Sequence, residues 1–259
     1  IRRLLIEIVY MERKKICKNK FASKYSERFY SQSDEDGITL EIVDRLAKIG
    51  ESRETFIEFG VGNGTENNSL VLLLKGWKGV WVGNEELMVE VEEKANIQYI
   101  NQWVTVDNAS NILREALISL QSRHIGLLSV DLDGNDYYLV RHLMDSGLKP
   151  NIIIVEYNGL IESKALWKQV YKSDHCWSYD QYFSASLASF CELLGKYGYS
   201  LIACNPQTGA NAFFVKSEFA YLFPEVPSKT EEIYVSPFYR YENYFGHKKS
   251  STFINSLIQ

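Results

Sequence analysis

The feature that most constrains the fold is an alternation of apolar and mixed segments between residues 55 and 158. The segments TFIEFG, GVWVG, IGLLSVDLD and NIIIVEY are apolar along most of their length. Such strands are buried on both faces of a sheet, and about a dozen residues between consecutive strands suffice for a crossover helix. The pattern therefore predicts a parallel β-sheet with helices on both faces.

The order of the remaining segments narrows the fold further. IQYINQWV is predicted as the third strand, and helices are predicted over TENNSLVLLLKG, EELMVEVEEKAN, ASNILREALISLQ and DYYLVRHLMDSG. After the fifth strand come the helix SASLASFCELLGKYG and the strand-like runs YSLIACN and GANAFFVKS. Five βα units followed by a helix and a hairpin predict an α/β, Rossmann-like class I methyltransferase fold, with a mostly parallel seven-stranded sheet and an antiparallel last strand.

Three regions are expected along the chain. Residues 1–30 are mixed apolar and basic and are predicted to form one or two helices outside the main domain, which spans residues 31–218. The main domain opens with a predicted helix over Gly37–Gly50. Residues 219–259, rich in Tyr and Phe, are predicted to be a C-terminal extension. Because the chain begins with Ile1 rather than Met, we expect it to belong to a longer protein.

Composition and charge argue against several classes of function. The net charge of −5 disfavours a nucleic-acid partner, and no apolar run reaches the roughly 18 residues of a membrane span. The four cysteines are scattered without a CxxC pair, which favours reduced thiols in a cytoplasmic protein over a zinc site. The basic stretch Arg13–Lys24 is either a solvated helix face or a contact for an anionic surface.

A glycine-rich turn follows the first predicted strand. Gly60, Gly62 and Gly64 precede the next predicted helix, where glycine lets the backbone turn sharply and approach a ligand. Glu58 would repel a pyrophosphate but attract the ammonium group of an aminoacyl ligand, so S-adenosylmethionine fits better than NAD. The spacing GxGxG also differs from the GxGxxG of dinucleotide-binding proteins. The alternative is a tight turn that binds no ligand.

The second strand ends without the carboxylate that usually binds ribose hydroxyl groups in such folds. Gly83 and Asn84 occupy this position, and Glu85 and Glu86 follow. Glu85 either reaches the ribose from the first turn of a predicted helix or, with Glu86, stabilises the N-terminus of that helix electrostatically. Both interpretations stay open, with Asn84 and Glu85 as candidate cofactor ligands.

Carboxylates crowd the ends of the fourth and fifth strands. Asp131 and Asp133 follow the fourth strand, and Glu156 and Asn158 end the fifth. Asp131 or Asp133 with Glu156 and Asn158 would form an all-oxygen site for Mg²⁺ or another divalent cation at the carboxyl edge of the sheet. A general-base role for Asp131 or Glu156 is the other functional interpretation. The structural alternative is surface solvation together with helix capping by Asn135 or Asp136.

The irregular stretch from Gly159 to Phe183 is predicted to shape an acceptor pocket. Within it, His175 is either a catalytic base that overhangs the site or an ordinary loop histidine. The aromatic side chains of this stretch suit stacking on a sugar, and they suit a hydrophobic lid equally well: Trp167, Tyr171, Trp177, Tyr179 and Tyr182.

Six segments together carry a family resemblance: SQSDEDGI, FIEFGVGNGTENNSLVLLLKGWKGVW, WVTVDNASNIL, LLSVDLDGNDYYLV, PNIIIVEYNG and GYSLIACNPQTGANAFFV. In this order they resemble a bacterial group related to FkbM-type S-adenosylmethionine-dependent methyltransferases, over about Ser31–Val215. Members of this group often accompany surface-polysaccharide and glycan biosynthesis. The resemblance implies a transferase that uses S-adenosylmethionine as its cofactor.

The resemblance implies how the cofactor would bind. Glu58 and the three glycines of the turn would line its methionine and ribose part. Asp107 and Asn108 in VDNAS would lie near the adenine, and Asp131 would lie next to the sulfonium end. Relatives carry an acidic residue at the end of the second strand, where this chain has Gly83.

The resemblance also implies what surrounds the rest of the pocket. Gln32, Glu35 and Asp36 in SQSDEDG would lie over the pocket, and Glu156 and Asn158 would lie at the substrate or metal site. A small molecule or glycan is therefore the expected substrate, and a larger parent protein or a homo-oligomer is the expected assembly.

Three functions follow, in decreasing order of preference. The first is an S-adenosylmethionine-dependent O-methyltransferase acting on a sugar or surface-glycan intermediate, with a carboxylate or Mg²⁺ lowering the pKa of the acceptor hydroxyl. The second, motivated by Gly83, is a degenerate methyltransferase-fold module for binding or assembly in a glycan-processing protein. The third is a nucleotide-sugar enzyme with DLD as a metal-binding DxD motif, which the order of the elements and the glycine turn argue against.

Overall fold

The computed structural model of the chain describes residues 2–90, 96–238 and 247–257. The strands are β1 (Thr55–Phe59), β2 (Lys78–Gly83), β3 (Ile97–Asn101), β4 (Leu127–Val130), β5 (Ile152–Glu156), β6 (Tyr199–Cys204) and β7 (Asn211–Lys216). The helices are α1 (Arg2–Ile16), α2 (Lys20–Tyr25), α3 (Glu35–Lys48), α4 (Leu70–Leu74), α5 (Val106–Leu120), α6 (Asp136–Asp145), α7 (Leu187–Lys196), α8 (Thr230–Ile233) and α9 (Ser251–Leu257), with a 3₁₀ turn over Ser217–Leu222.

The seven strands form one sheet in the order β3-β2-β1-β4-β5-β7-β6. Strands β1 to β5 pair in parallel, whereas β7 runs antiparallel to both β5 and β6. This is the order and polarity of the Rossmann-like class I methyltransferase fold, so the predicted fold class is confirmed. The sheet order reverses beside β1 and β4, and the carboxyl ends of strands at such a switch point border the ligand site in open α/β sheets.

Both faces of the sheet are buried, as the apolar strands require. On one face Ile57 and Phe59 of β1 pack with α5, α6 and α7; on the other face Phe56 packs with α2, α3 and α4. The flanking regions join the second layer, because Phe21 of α2 and Phe223 after β7 are buried in it. The boundaries at residues 30/31 and 218/219 remain predictions.

The predicted helix over residues 85–96 is wrong within residues 85–90, which contain no helical segment; residues 91–95 lie outside the described part of the chain. Leu87 and Val89 are half-buried, and they alternate with exposed Met88 and Glu90. This period of two belongs to an extended chain rather than a helix. Leu87 and Val89 pack over Gly64, so the segment is held against the glycine turn.

Two further observations bear on the cellular environment. All four cysteines are free thiols. Within the described residues, no helix combines the length and the apolar character needed to cross a membrane. The cytoplasmic location remains a prediction.

Candidate functional site

A cleft lies at the carboxyl ends of β1, β2, β4 and β5. It comprises two neighbouring spaces of about 670 Å³ and 240 Å³. The larger space extends towards β5 and β7, and the smaller one towards the ends of β2 and β3. The spaces share Gly60, Gly62, Glu85, Asp131 and Asp133 in their walls, so the glycine turn and the acidic β4 end divide the cleft between them.

The glycine turn is built by backbone geometry that only glycine tolerates well. Gly60, Gly62 and Gly64 have φ angles of +83°, +48° and +86°. A Cβ on Gly60 would lie 1.5 Å from the carbonyl oxygen of Asp131, so β1 and β4 meet too closely there for any side chain. A Cβ on Gly62 would meet no atom within 4 Å, so this residue opens to the cleft.

Gly64, predicted to line the cofactor, has a different position. A Cβ on Gly64 would lie 2.9 Å from Cγ2 of Val89 and 3.1 Å from Cδ2 of Leu87. Gly64 therefore faces the segment after β2, and it is not among the residues that border the cleft. Its function is to let that segment pack against the turn.

Glu58 borders the cleft, but its carboxylate is occupied by hydrogen bonds within the protein. The backbone N–H groups of Asn68 and Ser69 donate to it at 2.8 and 3.0 Å, and the Ser69 hydroxyl donates as well. Burial raises the pKa of Glu58, and these hydrogen bonds oppose the rise. Trp81 Nε1 donates to the same Ser69 hydroxyl at 2.9 Å. Glu58 thus fixes the start of α4, and this explains why α4 begins later than the predicted helix.

The end of β2 forms one wall of the smaller space. Gly83 and Asn84 border this space, and Glu85 borders both spaces. A Cβ on Gly83 would lie 3.2 Å from Cγ2 of Val61 and 3.4 Å from the Tyr99 hydroxyl, so a larger residue there would need its neighbours to shift. The Tyr99 hydroxyl donates to the backbone carbonyl of Glu85 at 2.6 Å and holds Glu85 at the cleft.

The predicted adenine contacts Asp107 and Asn108 do not border the cleft. Asn108 belongs to a capping box at the start of α5: its Oδ1 accepts from the Thr105 N–H at 2.8 Å, and Thr105 Oγ1 accepts from the Asn108 N–H at 3.3 Å. The segment just before, with Trp103 and Val104, borders the smaller space instead. An adenine contact by Asp107 or Asn108 remains a prediction.

The acidic segment before α3 is mostly structural. Gln32 borders the larger space, and its contact with a cofactor remains a prediction. Asp36 is buried, and its Oδ2 accepts from the backbone N–H groups of Phe29, Tyr30 and Ser31 at 2.5–2.9 Å. The predicted cofactor role of Asp36 does not fit this placement, since the carboxylate holds the loop before α3 together. Glu35, also predicted over the pocket, is buried behind the cleft wall.

Three carboxylates meet below the larger space. Oxygen atoms of Asp131, Asp136 and Glu156 lie within 4.8 Å of one another. Burial raises the pKa values of Asp131 and Glu156 well above their usual range, and the repulsion between neighbouring carboxylates adds to the effect. Burial also raises the pKa of Asp136 to about 6. The cluster therefore favours a proton or a cation among its oxygens.

The predicted metal ligand Asp133 is not part of this cluster, and the amide of Asn158, the other predicted ligand, is hydrogen-bonded to the irregular segment. The amide Nδ2 of Asn158 donates to the carbonyl groups of Gln181 and Phe183 at 2.9 and 3.1 Å, and its Oδ1 accepts from the Leu160 N–H. Asn158 thus anchors the irregular segment after β5. Asp133 has a φ of +53° and borders both spaces at the exposed side of the cleft.

Asp136 takes the place of Asp133 in the cluster for a local reason. Its Oδ1 accepts from the Leu132 N–H at 2.7 Å, and its Oδ2 accepts from the Gly134 N–H at 2.9 Å. These bonds close a tight turn at the start of α6 and aim the Asp136 carboxylate inward. The sequence indicated the capping role but not the inward direction.

His175 lies on the smaller space rather than among the carboxylates. Its ring packs on Gly134, where a Cβ would lie 2.3 Å from Cδ2 of the imidazole. Desolvation lowers the pKa of His175, which favours the neutral form of the ring. This placement puts it on the side of Trp103 and Asn135, away from Glu156, and it does not favour the predicted role as catalytic base.

Of the five aromatic residues proposed for an acceptor pocket, Trp177 and Tyr179 border the cleft. Their ring centroids lie 4.8 Å apart, and Tyr179 is 57% exposed with a φ of +60°. Trp167 and Tyr182 instead pack against each other and Phe253, away from the cleft. Two aromatic rings therefore form the mouth of the site.

Several residues that the sequence did not single out also border the larger space. Asn67 and Asn211 are 4% and 5% exposed, and each has a buried side-chain atom without a hydrogen-bond partner among the described residues: Nδ2 of Asn67 and Oδ1 of Asn211. Arg28 borders the same space and pairs with Glu66 at 3.8 Å. The polar run ENNS after the glycine turn was a usable signal for Asn67; Asn211 had no local signal.

Comparison of the chain with protein-family models and with curated proteins found no match. Among solved structures, the chain is similar to one described as the crystal structure of a fibrillarin/Nop5p complex, with 13% sequence identity and a TM-score of 0.38. The alignment covers 76% of this chain and 90% of that chain. At this low sequence identity and TM-score, the similarity carries no information on activity.

Proposed function

We propose that the protein is an S-adenosylmethionine-dependent O-methyltransferase that acts on a sugar or surface-glycan intermediate. The observation that carries this proposal is the acidic cleft beside the glycine turn. Glu85, Asp131, Asp133 and Glu156 border it, and Arg28 is a cation in its wall. An excess of carboxylates favours a ligand with a sulfonium and an ammonium group and disfavours a pyrophosphate.

The cleft walls offer a place for each part of this cofactor. The adenosine would occupy the smaller space against Trp103, with the ribose hydroxyls within reach of Glu85. The aminoacyl part would lie over Gly62, which opens to the cleft. Its carboxylate would accept a hydrogen bond from Nδ2 of Asn67, a buried donor with no partner among the described residues, with Arg28 nearby.

The acidic β4 and β5 ends supply the chemistry of transfer. S-adenosylmethionine supplies an electrophilic methyl group; the C–S bond breaks as the C–O bond to the acceptor forms, and sulfur keeps the electron pair. Asp131 and Glu156, with pKa values raised by burial, are suited to accept the proton of the acceptor hydroxyl. A divalent cation held by the same carboxylates would lower the pKa of that hydroxyl.

The mouth of the cleft favours a carbohydrate acceptor. Trp177 and Tyr179 present two aromatic rings beside the acidic floor. Such rings cover the apolar face of a sugar, while the carboxylates below accept hydrogen bonds from its hydroxyl groups. A neutral sugar is favoured over a phosphorylated one, because phosphate would meet the carboxylates.

Calorimetric titration with S-adenosylmethionine tests the proposal. The substitution Gly62→Leu places a side chain in the open space above the turn and is expected to weaken binding at least tenfold. The matched control is Gly50→Leu at the end of α3. Gly50 has a φ of +78° and, like Gly62, has no atom within 4 Å of the position that a Cβ would take, but it does not border the cleft. Gly50→Leu should bind as the native chain does.

A second candidate is a methyltransferase-fold module that binds or assembles without catalysis. The observation in its favour is that β2 ends at Gly83 and is followed by Asn84, neither of which supplies a carboxylate for the ribose. If the native chain fails to bind both S-adenosylmethionine and S-adenosylhomocysteine, this second function replaces the first.

A further inference from the structure

Two unpartnered hydrogen-bond acceptors lie side by side at the end of β5. Oε2 of Glu156 and Oδ1 of Asn211 are buried, have no hydrogen-bond partner among the described residues, and belong to side chains that border the larger space. Glu156 and Asn211 are direct partners in the antiparallel pairing of β5 with β7. Side chains of directly opposite residues lie on the same face of a sheet, about 5 Å apart at Cβ. The two unpartnered oxygens therefore belong to neighbouring side chains on the same face of the sheet.

The orientation of the Asn211 amide follows from its other neighbour. Its Nδ2 donates to Oε1 of Glu35 at 3.2 Å, and the same Glu35 oxygen accepts from Ser33 Oγ at 2.8 Å and Asn205 Nδ2 at 3.0 Å. A flipped amide would set its oxygen against the Glu35 carboxylate, which only accepts when ionised. The nitrogen must face Glu35, so the oxygen is the atom left without a partner.

The neighbouring carboxylates have no compensating cation among the residues that the structure describes. Oxygens of Asp131, Asp136 and Glu156 lie within 4.8 Å of one another, and none of these residues forms an ion pair with a Lys, Arg or His in that part of the chain. Oxygens bound to one Mg²⁺ ion at about 2.1 Å lie up to about 4.2 Å apart, and those around Ca²⁺ up to about 5 Å apart. A spacing of up to 4.8 Å falls within the Ca²⁺ range, and a small inward movement of the side chains would bring it into the Mg²⁺ range.

We propose that Asp131, Glu156 and Asn211 bind a hard divalent cation of the Mg²⁺ class, with Oδ1 of Asn211 in the position that the sequence suggested for Asn158. Carboxylate and amide oxygens are the ligands such ions prefer. Asp136 adds negative charge, while its hydrogen bonds to Leu132 and Gly134 keep it in the turn. That the ion also orients an acceptor hydroxyl rests on the proposed function; that it binds does not.

A shared proton is the competing explanation for the carboxylates. A proton can join one oxygen of Asp131 to one oxygen of Glu156, but it leaves Oδ1 of Asn211 buried without a partner. A buried acceptor without a partner destabilises the folded state. A second proton, on Oε2 of Glu156, could donate to the Asn211 oxygen. One divalent ion satisfies the carboxylates and the amide oxygen together without that second proton.

The test is a titration of the full chain with MnCl₂, followed through the electron paramagnetic resonance signal of free Mn²⁺. The native chain should bind one ion. Glu156→Gln and Asn211→Leu should each weaken binding at least tenfold. Glu66→Gln is the matched control, because it removes a carboxylate from the wall of the same cleft outside the cluster; it should change the affinity less than twofold.

Crystals of the native chain soaked in MnCl₂ keep the proposal testable if Asn211→Leu does not fold. An anomalous peak at the manganese edge within coordination distance of Asn211 Oδ1 and Glu156 supports it. The proposal is overturned by no peak, by a peak without Asn211, or by equal losses of affinity in Glu66→Gln and Glu156→Gln. A parallel titration with S-adenosylmethionine separates the two claims: Mn²⁺ binding without cofactor binding contradicts the proposed function alone, and the reverse contradicts the ion site alone.

Discussion

Glu58 and Glu156 are carboxylates at the same edge of one sheet, and they differ in what surrounds them. Glu58 on β1 accepts hydrogen bonds from two backbone N–H groups and a hydroxyl. Glu156 on β5 has a buried oxygen with no partner among the described residues. Glu58 therefore holds its own turn together, whereas the free oxygen of Glu156 belongs to a side chain that borders the cleft and is available to a ligand. The β1 turn is thus a fixed frame, and the β5–β7 end offers a free acceptor at the cleft.

The largest expected effect tests the rigidity of the β1 turn. In Gly60→Ala the added Cβ would lie 1.5 Å from the Asp131 carbonyl oxygen, and the residue would keep an unfavourable φ. We expect a loss of more than about 4 kcal/mol in the free energy of unfolding, measured with urea. Gly50→Ala, with a similar φ and no neighbour within 4 Å, should lose only about 1 kcal/mol. Equal losses would contradict a steric frame at Gly60.

The substitutions Glu58→Gln and Glu156→Gln, which keep the shape of the side chain, test the difference between the two carboxylates directly. Glu58→Gln places an amide N–H₂ against groups that already donate, and we expect it to lower the unfolding free energy by about 3 kcal/mol. Glu156→Gln removes a charge from the acidic cluster. Its new amide N–H₂ group does not face backbone N–H donors, in contrast to the amide of Glu58→Gln. It should change stability by less than about 0.5 kcal/mol, or raise it. A larger loss in Glu156→Gln than in Glu58→Gln, by urea denaturation in metal-free buffer, would reverse the contrast.

Asp34 adds a third kind of buried carboxylate, one that is satisfied yet strongly desolvated. Burial, with a smaller contribution from Glu35, raises the pKa of Asp34 to about 7. Because the folded pKa exceeds the unfolded one, the stability that protonated Asp34 contributes is complete below about pH 4 and is lost as the pH rises through about 7. The unfolding free energy should therefore fall by about 2 kcal/mol more between pH 5 and pH 8 in the native chain than in Asp34→Asn. Parallel pH profiles of the two proteins would refute this assignment.

The smallest expected effect concerns the end of β2, which lacks the carboxylate that usually binds ribose hydroxyl groups in such folds. Glu85 is held at the cleft by the Tyr99 hydroxyl, so Glu85→Gln should weaken S-adenosylhomocysteine binding about fivefold, or about 1 kcal/mol. Glu86→Gln is the control: Glu86 is exposed and does not border the cleft, so calorimetry should find less than a twofold change. If both substitutions have the same effect, Glu85 is not a ribose ligand.

The sheet was predictable because its signal is local. Apolar strands such as NIIIVEY identify themselves, and the glycine turn after β1 follows from three residues in five positions. Within residues 85–90 the helix predicted after β2 was wrong, because Leu87 and Val89 pack over Gly64 from an extended segment. A period of two in a stretch of six residues is easily read as part of a helical pattern.

The site was less predictable because side-chain partners are not local. Asp36, Asn108 and Asn158 stand in motifs that suggest ligands, yet each bonds to nearby backbone groups. Asn211 stands in no motif and reaches the cleft because β7 pairs with β5 across 55 residues of sequence, from Glu156 to Asn211. Only the fold shows which polar side chains are hydrogen-bonded within the protein and which have a free polar atom at the cleft.

A crystal structure of the chain with S-adenosylhomocysteine tests the proposed cofactor site most directly. We expect the adenine against Trp103 in the smaller space, the ribose beside Glu85, and the homocysteine part over Gly62 with its carboxylate on Asn67. The sulfur should point towards Asp131 and Glu156. Ligand density elsewhere on the molecule, or none at a concentration that saturates the protein in calorimetry, would contradict the proposed methyltransferase site.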